Sequence, residues 1–238
     1  MKIALIGYGK MGKAIEEIAI SRGHEIVLKI SSSNKSDFTA ENLNRADVAI
    51  EFTNPESALE NLQTCLHAGM ATVCGSTGWL NSKQEIEDLA NEKKLGFLYA
   101  SNFSIGVNIF FELNTFLAKM MDVQPEYDVV LEEIHHTAKK DAPSGTAITL
   151  AEQILSQISR KTEWVKENAD KASELAIKSV RIDPAPGTHV ITYHSDIDDI
   201  EIKHTAHNRK GFAFGAVLAA EYVATHKGVS SMKDVLGF

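Results

Sequence analysis

Short apolar runs alternate with amphipathic stretches along the first hundred residues of the chain. Residues 2–6, 24–30, 47–52, 70–74 and 95–100 are brief runs rich in β-formers and bounded by polar or glycine-containing turns, which predicts strands. Between them Ala14, Ile15, Ile18 and Ala19 recur at helical spacing, and 55–68 and 81–94 read as further helices. This is the rhythm of a parallel sheet covered by helices. After Ser104 the pattern changes, with an apolar helix over 107–121 followed by longer strands. Thr188–His194 and Ile200–Ala206 flank Asp196-Ile197-Asp198-Asp199 as an antiparallel hairpin. Residues 159–178, dominated by Lys, Glu, Asp and Ala, predict a surface helix or mobile loop with no functional signal. Gly211–Ala220 opens a small-residue helix expected to return to the first domain, followed by a short tail.

The first strand runs into Gly7-Tyr8-Gly9-Lys10-Met11-Gly12 and then a helix, which is G-x-G-x-x-G in a strand-turn-helix context. Gly7 permits the tight turn, Gly9 lets a pyrophosphate approach the backbone, and Gly12 lets the helix pack on the strand. A Rossmann-type dinucleotide site is therefore expected. The second strand should end beside the adenosine ribose, where an acidic residue would hold the hydroxyls of NAD and repel the extra phosphate of NADP. Here the chain reads Ser31-Ser32-Ser33-Asn34-Lys35. Serines tolerate that phosphate and Lys35 favours it, unless Lys35 is simply a solvated loop charge. Three other loops fall at the carboxyl ends of predicted strands: Phe52-Thr53, Gly75-Ser76-Thr77-Gly78, and Ala100-Ser101-Asn102-Phe103-Ser104.

A second cluster lies in residues 131–151, LEEIHHTAKKDAPSGTAITLA. Ala147, Leu150, Ala151, Ile154, Leu155 and Ile158 set a helical period, so a helix begins near Pro143–Thr146. Its free N–H groups, the Ser144 and Thr146 hydroxyls and an unobstructed Gly145 suit a carboxylate or phosphate, and Lys139 adds a full positive charge. The preceding YDVVLEEIHH alternates poorly but is rich in β-formers, and reads as a strand ending at His135 and His136. On an ideal strand those two would point to opposite faces, so both serve one site only if the strand ends or bulges there. Histidine beside a lysine and a helix start is suited to moving a proton.

Zinc is the rival reading of a chain with nine histidines, among them His135, His136, His189, His194, His204 and His207. Neither a His-x-x-x-His with a glutamate nor a Cys-x-x-Cys spacing occurs, which argues for no metal. Over 238 residues the formal charge is −8 with no basic patch, which argues against nucleic-acid backbone binding. No apolar segment is long enough to span a bilayer and no signal-peptide pattern precedes the first strand, so a cytoplasmic protein without membrane attachment is expected. Cys65 and Cys74 are expected to be reduced and buried.

Taken together, these residues resemble the dihydrodipicolinate reductases, also called 4-hydroxy-tetrahydrodipicolinate reductases, of the lysine and diaminopimelate pathway. The likeness spans nearly the whole chain: the glycine turn, Phe52-Thr53-x-Pro55-Glu56, Gly75-Ser76-Thr77-Gly78, Asn102-Phe103-Ser104-x-Gly106-Val107-Asn108, and Glu133-x-His135-His136-x-x-Lys139-x-Asp141-Ala142-Pro143-Ser144-Gly145-Thr146-Ala147. Gly187-x-His189, His204-x-Ala206-x-x-Arg209 and Phe212-Ala213-Phe214-Gly215-Ala216 also match. The resemblance implies an α/β protein with a Rossmann-type parallel-sheet domain over 1–104 plus 208–238. A second α+β domain, over 105–207, would carry an open mixed sheet that assembles a homotetramer. It assigns catalysis to His135 and Lys139, and substrate binding to His136, Ser144, Gly145 and Thr146. Two departures, a glycine turn one residue shorter than the common family form and serine in place of the ribose acid, leave the cofactor preference open.

The expected reaction is hydride transfer from NADPH or NADH, with a modest NADPH preference, to a ring carbon of a cyclic dicarboxylate, with loss of water. His135 is the expected proton donor, and Lys139 neutralises a carboxylate. Two alternatives stand beside it: a catalytically silent nucleotide-sensing protein of the same fold, and another two-domain NADP-dependent dehydrogenase of an amino-acid precursor.

Overall fold

The computed structural model describes residues 1–208 and 210–238, which divide into two compact units. One joins Met1–Ile105 to Lys210–Phe238, and the other begins at Gly106. In chain order the elements are β1 (Lys2–Ile6), α1 (Lys10–Ser21), β2 (Glu25–Ile30), α2 (Ala40–Leu43), β3 (Val48–Glu51), α3 (Pro55–His67), β4 (Ala71–Cys74), α4 (Lys83–Glu92), β5 (Gly96–Tyr99) and α5 (Ile105–Met121). There follow β6 (Asp128–His135), α6 (Gly145–Gln157), β7 (Glu163–Lys166), β8 (Glu174–Arg181), β9 (Thr188–His194), β10 (Asp199–Thr205), α7 (Lys210–Val223), β11 (Gly228–Ser230) and α8 (Met232–Leu236).

The first unit carries a six-stranded sheet in the order β11-β5-β4-β3-β1-β2, with every neighbouring pair parallel. Ile3, Leu5, Ile50, Val73 and Leu98 pack one face against residues of α1 and α7, while Ala4, Ile6, Leu28, Ile30 and Ala49 pack the other against Leu43, Cys65 and Met70. Burial on both faces is why these strands read as continuous apolar runs. The small residues of α7 have a steric reason: a Cβ on Gly215 would lie 1.7 Å from the Phe103 carbonyl oxygen. From β1 the chain passes to β2 on one side and later to β3 on the other, so the carboxyl ends of β1 and β3 open a crevice. The expected plain tail instead holds β11, paired with β5, and α8, whose start is capped by Ser231 and Asp234. A strand of three residues is too short to show a period. Cys65 and Cys74 are both free and buried.

The second unit carries a five-stranded mixed sheet, β10-β9-β6-β8-β7. β6, β8 and β7 run parallel, and β9 and β10 run antiparallel to their neighbours. Phe110 and Leu117 of α5 and Leu150 and Ile154 of α6 share a core with Leu131, Ile177, Ile191 and Tyr193 of the sheet. One expectation fails here. Residues 159–178 form neither helix nor loose loop but β7 and the start of β8, with Leu175, Ala176 and Ile177 buried. The Lys161 ammonium is itself buried, donating to the Glu174 carbonyl at 2.7 Å and pairing with Asp128 at 2.6 Å. Pairing with β6 overrides the weak strand propensity of this charged segment. The strand expected to end at the histidine pair is β6, and its burial alternates strictly, with Val129, Leu131, Glu133 and His135 all turned inward. Half of those inward residues are polar, so the alternation is invisible in hydropathy. Among the described residues no helix is long and apolar enough to cross a membrane.

Candidate active site

At the crevice of the first unit, Gly7 has a φ of +101°, and a Cβ there would lie 2.0 Å from the Phe52 carbonyl oxygen. The Gly7 and Tyr8 N–H groups donate to the Ile30 carbonyl at 2.9 and 2.8 Å, which fixes the turn beside β2. Gly12 is required by the turn itself, since its Cβ would sit 2.3 Å from the Gly7 carbonyl oxygen. Gly9 faces open space, and α1 begins with no acidic residue in its first turn, leaving the positive end of the helix free for a pyrophosphate. Two cavities of about 530 and 440 Å³ share Gly9, Phe52, Thr53 and Asn54. The larger also collects Gly7, Tyr8, Ser31, Ser32 and Lys35; the smaller collects Lys10, Met11, Gly75, Ser76 and Thr77. Ala100, Ser101, Asn102 and Phe103 line neither. Phe103 is 2% exposed, packed 5.5 Å from the Phe52 ring, and braces that loop from the core.

The serine loop is organised by Asn34, whose Oδ1 accepts from the Ser31 N–H at 2.8 Å and the Ser31 hydroxyl at 2.9 Å. Its Nδ2 donates to the Lys29 carbonyl at 2.9 Å. Lys29 is held by Glu16 at 2.5 Å, 4.9 Å from the Tyr8 ring centroid. The charged residues lining the larger cavity are Lys35 and Glu60. Sequence reading missed Glu60, which sits on α3 among ordinary helix-surface residues. It also missed Glu51, a fully buried carboxylate that accepts from the Thr53 hydroxyl, the Cys74 thiol at 3.2 Å and the Asn61 amide at 3.3 Å.

In the second unit β6 ends at His135, which is 7% exposed, while His136 is half-exposed on the turn that follows. The Lys139 N–H donates to the His136 carbonyl at 3.1 Å, closing that turn. The Lys139 ammonium, expected to add a positive charge to the site, donates to both Asp141 carboxylate oxygens, at 2.9 and 2.8 Å. Ser144 is the N-cap of α6: it is buried, and its hydroxyl accepts from the Ala147 N–H at 3.2 Å instead of standing clear for a ligand. Gly145 is exposed with nothing near its Cβ position, Thr146 is half-buried, and the first turn of α6 carries no acid.

Behind this loop lies Glu133, fully buried. It accepts from the Ser144 N–H at 3.1 Å, the Ser179 hydroxyl at 2.9 Å and the Arg181 guanidinium at 2.9 Å. Its Oε2 lies 3.4 Å from His135 Nδ1 and 3.9 Å from His189 Nε2, and the two imidazoles meet edge to face at 5.3 Å. Strand register makes this cluster, pairing Glu133 with Ser179 on one side and His189 on the other, and His135 with Arg181. Burial alone would raise the Glu133 carboxyl, but the donors Ser144, Arg181 and Ser179 outweigh it and hold it below its ordinary range. Burial lowers His135, opposed by Glu133 and reinforced by Lys139 and Arg181. Burial, then His135, pushes His189 down to about 4, so it is neutral near pH 7. A Cβ on Gly187 would stand 3.2 Å from His135 Nε2, so bare backbone flanks that nitrogen.

Glu133, His135 and His189 also present ligand atoms within 4.8 Å of one another, the one group among the described residues that could hold a metal ion. Spacing could not reveal it, because the ligands come from two neighbouring strands. Arg181 already balances Glu133, which favours proton handling over metal binding. The other histidines disperse: His194 pairs with Asp199 at the far end of β9, and His204 lies beside His189 on β10, 6.0 Å from the Phe110 ring. Arg209 of the sequence motif lies outside the described residues.

Residues 1–103 match the family model "Dihydrodipicolinate reductase, N-terminus" and 106–236 match "Dihydrodipicolinate reductase, C-terminus". A 4-hydroxy-tetrahydrodipicolinate reductase of Christiangramia forsetii is 49% identical over 99% of this chain and 98% of its own. One of Methanosarcina barkeri is 36% identical over 97% of this chain and 83% of its own. Among solved structures, the dipicolinate-bound dihydrodipicolinate reductase from Paenisporosarcina sp. TG-14 has the same fold, with a TM-score of 0.81 at 24% identity over 97% of both chains. The chain belongs to the dihydrodipicolinate reductase family.

Proposed function

We propose that this chain reduces 4-hydroxy-tetrahydrodipicolinate to tetrahydrodipicolinate with a nicotinamide cofactor, releasing water, in the cytoplasmic synthesis of diaminopimelate and lysine. The observation that carries this reading is the buried His135 at the end of β6, next to the charged turn that leads into the acid-free start of α6. The first unit offers Gly9 and the start of α1 to the pyrophosphate, and Ser31, Ser32 and Lys35 to the adenosine ribose and its phosphate. Lys139, His136, Gly145 and Thr146 receive the substrate's carboxylates, with Lys139 exchanging Asp141 for the ligand. Ser144 acts by fixing the helix start. When bound, the nicotinamide would supply a hydride to a ring carbon, and His135 would deliver a proton to the adjacent ring atom. Reacting atoms must meet at about 3–3.5 Å for this step.

The cofactor is used in either form, with a modest preference for NADPH. Val130, Ile134 and Val180 stand on the sheet face turned away from α5 and α6, which supports assembly of a homotetramer through that face. The test is substrate-dependent loss of the reduced cofactor's near-ultraviolet absorbance, with competitive inhibition by pyridine-2,6-dicarboxylate. Cofactor that stays reduced in the presence of substrate would instead favour the nucleotide-sensing reading.

A further inference from the structure

We propose that Glu133 is the positioning residue of this reduction: its buried carboxylate fixes His135 for proton donation and ties that imidazole to the substrate-receiving start of α6. The proposal rests on reading His135 as the proton donor. A carboxylate removed from water must find compensating donors. Arg181 and Ser179 occupy one Glu133 oxygen, the Ser144 N–H reaches both, and the second oxygen lies 3.4 Å from His135 Nδ1, while His189 Nε2 meets the Ser144 hydroxyl at 3.3 Å. A purely structural carboxylate would be satisfied by its donors. It would not need an oxygen turned, at 3.4 Å, towards a buried Nδ1 that has no hydrogen-bond partner.

The charged surroundings of His135 sharpen the point. Glu133 comes from its own strand, Lys139 and Asp141 from the following loop, Arg181 from β8 and His189 from β9. Of the two anions, Asp141 is exposed, where solvent screens its charge. Glu133 is thus the anion available to hold an imidazolium. The 3.4 Å separation is long for a hydrogen bond, and such bonds tighten when the reacting complex forms. Because Ser144 bonds to the same carboxylate, a shift in the helix start and a shift in the imidazole are one event.

The test is the pH profile of kcat/KM in the full-length protein. A proton donor must be charged, so activity falls as pH rises through its pKa. Glu133→Gln keeps shape and an acceptor oxygen but removes the charge, so that limb should move to lower pH by about one unit. kcat should drop roughly 10–100-fold while KM changes less than about threefold. Ser179→Ala strips one donor from the carboxylate, leaves more of its charge to the imidazole, and should move the limb the other way. Glu133→Gln decides the matter if it folds, and Ser179→Ala decides it if Glu133→Gln does not; an unmoved limb in the deciding variant overturns the proposal. His135→Gln keeps the two readings apart. Abolition of the limb there leaves His135 as the donor whatever Glu133 does, whereas persistence of the limb at its wild-type pH removes the donor reading itself.

Discussion

The crevice beside Gly9 and the cluster around Glu133 handle charge in opposite ways. The crevice holds an uncapped helix start, two lysines and one carboxylate, all open to solvent and able to meet a ligand's charge. The Glu133 carboxylate and its two neighbouring imidazoles are buried, and the half-buried Arg181 guanidinium already balances the carboxylate. Damage to the first region should therefore change affinity and preference. Damage to the second should change rate and stability, because a buried group left without its partner is far more costly than an exposed one.

The severest test of that division is His135→Gln. A positioned acid–base group is worth about 10²–10⁴ in rate, and the loss should fall on kcat with cofactor affinity intact. Steady-state kinetics within about threefold of the wild type would break the comparison. Acid stability comes next. Burial holds His189 at about 4 against an ordinary 6.5, so below pH 6.5 the unfolded chain takes up a proton that the folded chain refuses. This stability is fully present above pH 6.5 and is lost as pH falls towards 4, by roughly 3 kcal/mol in all. Urea titrations at successive pH values should show the slope, and His189→Asn should flatten it. Equal slopes in both proteins would mean that His189 is not held neutral by the fold.

The same contrast explains what could be read from the chain. The glycine turn was legible because Gly7, Gly9 and Gly12 serve a turn made within six residues, and the parallel sheet because its strands are apolar on both faces. The helix start at Ser144 was legible for the same local reason. Ser179, Arg181 and Glu133 were not, since they meet only through the register of β6 and β8, and β8 lay in a charged segment without a strand pattern. His189 was visible as a histidine but not as a neighbour of His135. The Lys139–Asp141 pair was hidden in plain view, two residues apart, because sequence does not say which anion a lysine chooses.

That pair yields an intermediate effect. Lys139→Ala should weaken substrate binding and slow turnover by roughly 10–100-fold together, since its charge meets a carboxylate present before and during reaction. Lys139→Arg should not restore either, because a planar fork does not replace a compact ammonium. Asp141→Asn removes the competing carboxylate and should tighten pyridine-2,6-dicarboxylate binding by a few fold, about 1 kcal/mol or less, as an exposed pair dictates. Calorimetry showing weaker binding in Asp141→Asn would mean that Asp141 holds the loop in its receptive form.

The smallest effect belongs to the open region, and it asks whether solvent-exposed charge there governs choice at all. Ser31 and Ser32 present no acid to a 2′-phosphate, and Lys35 lines the same cavity. Glu60 lines it too and offsets part of that attraction, while Lys29 is already committed to Glu16. One exposed lysine against one exposed carboxylate gives NADPH an advantage of about tenfold or less, which is about 1.4 kcal/mol. Ser31→Glu should swing the ratio of catalytic efficiencies towards NADH, by adding repulsion and a ribose acceptor, and Glu60→Gln should swing it modestly the other way. Both shifts should shrink at high salt, because exposed charges are screened within about 10 Å at 0.1 M ionic strength. A cofactor ratio that ignores both substitutions and salt would show that the preference is set by buried groups, and the contrast between an open cofactor end and a buried proton end would fail on its cofactor side.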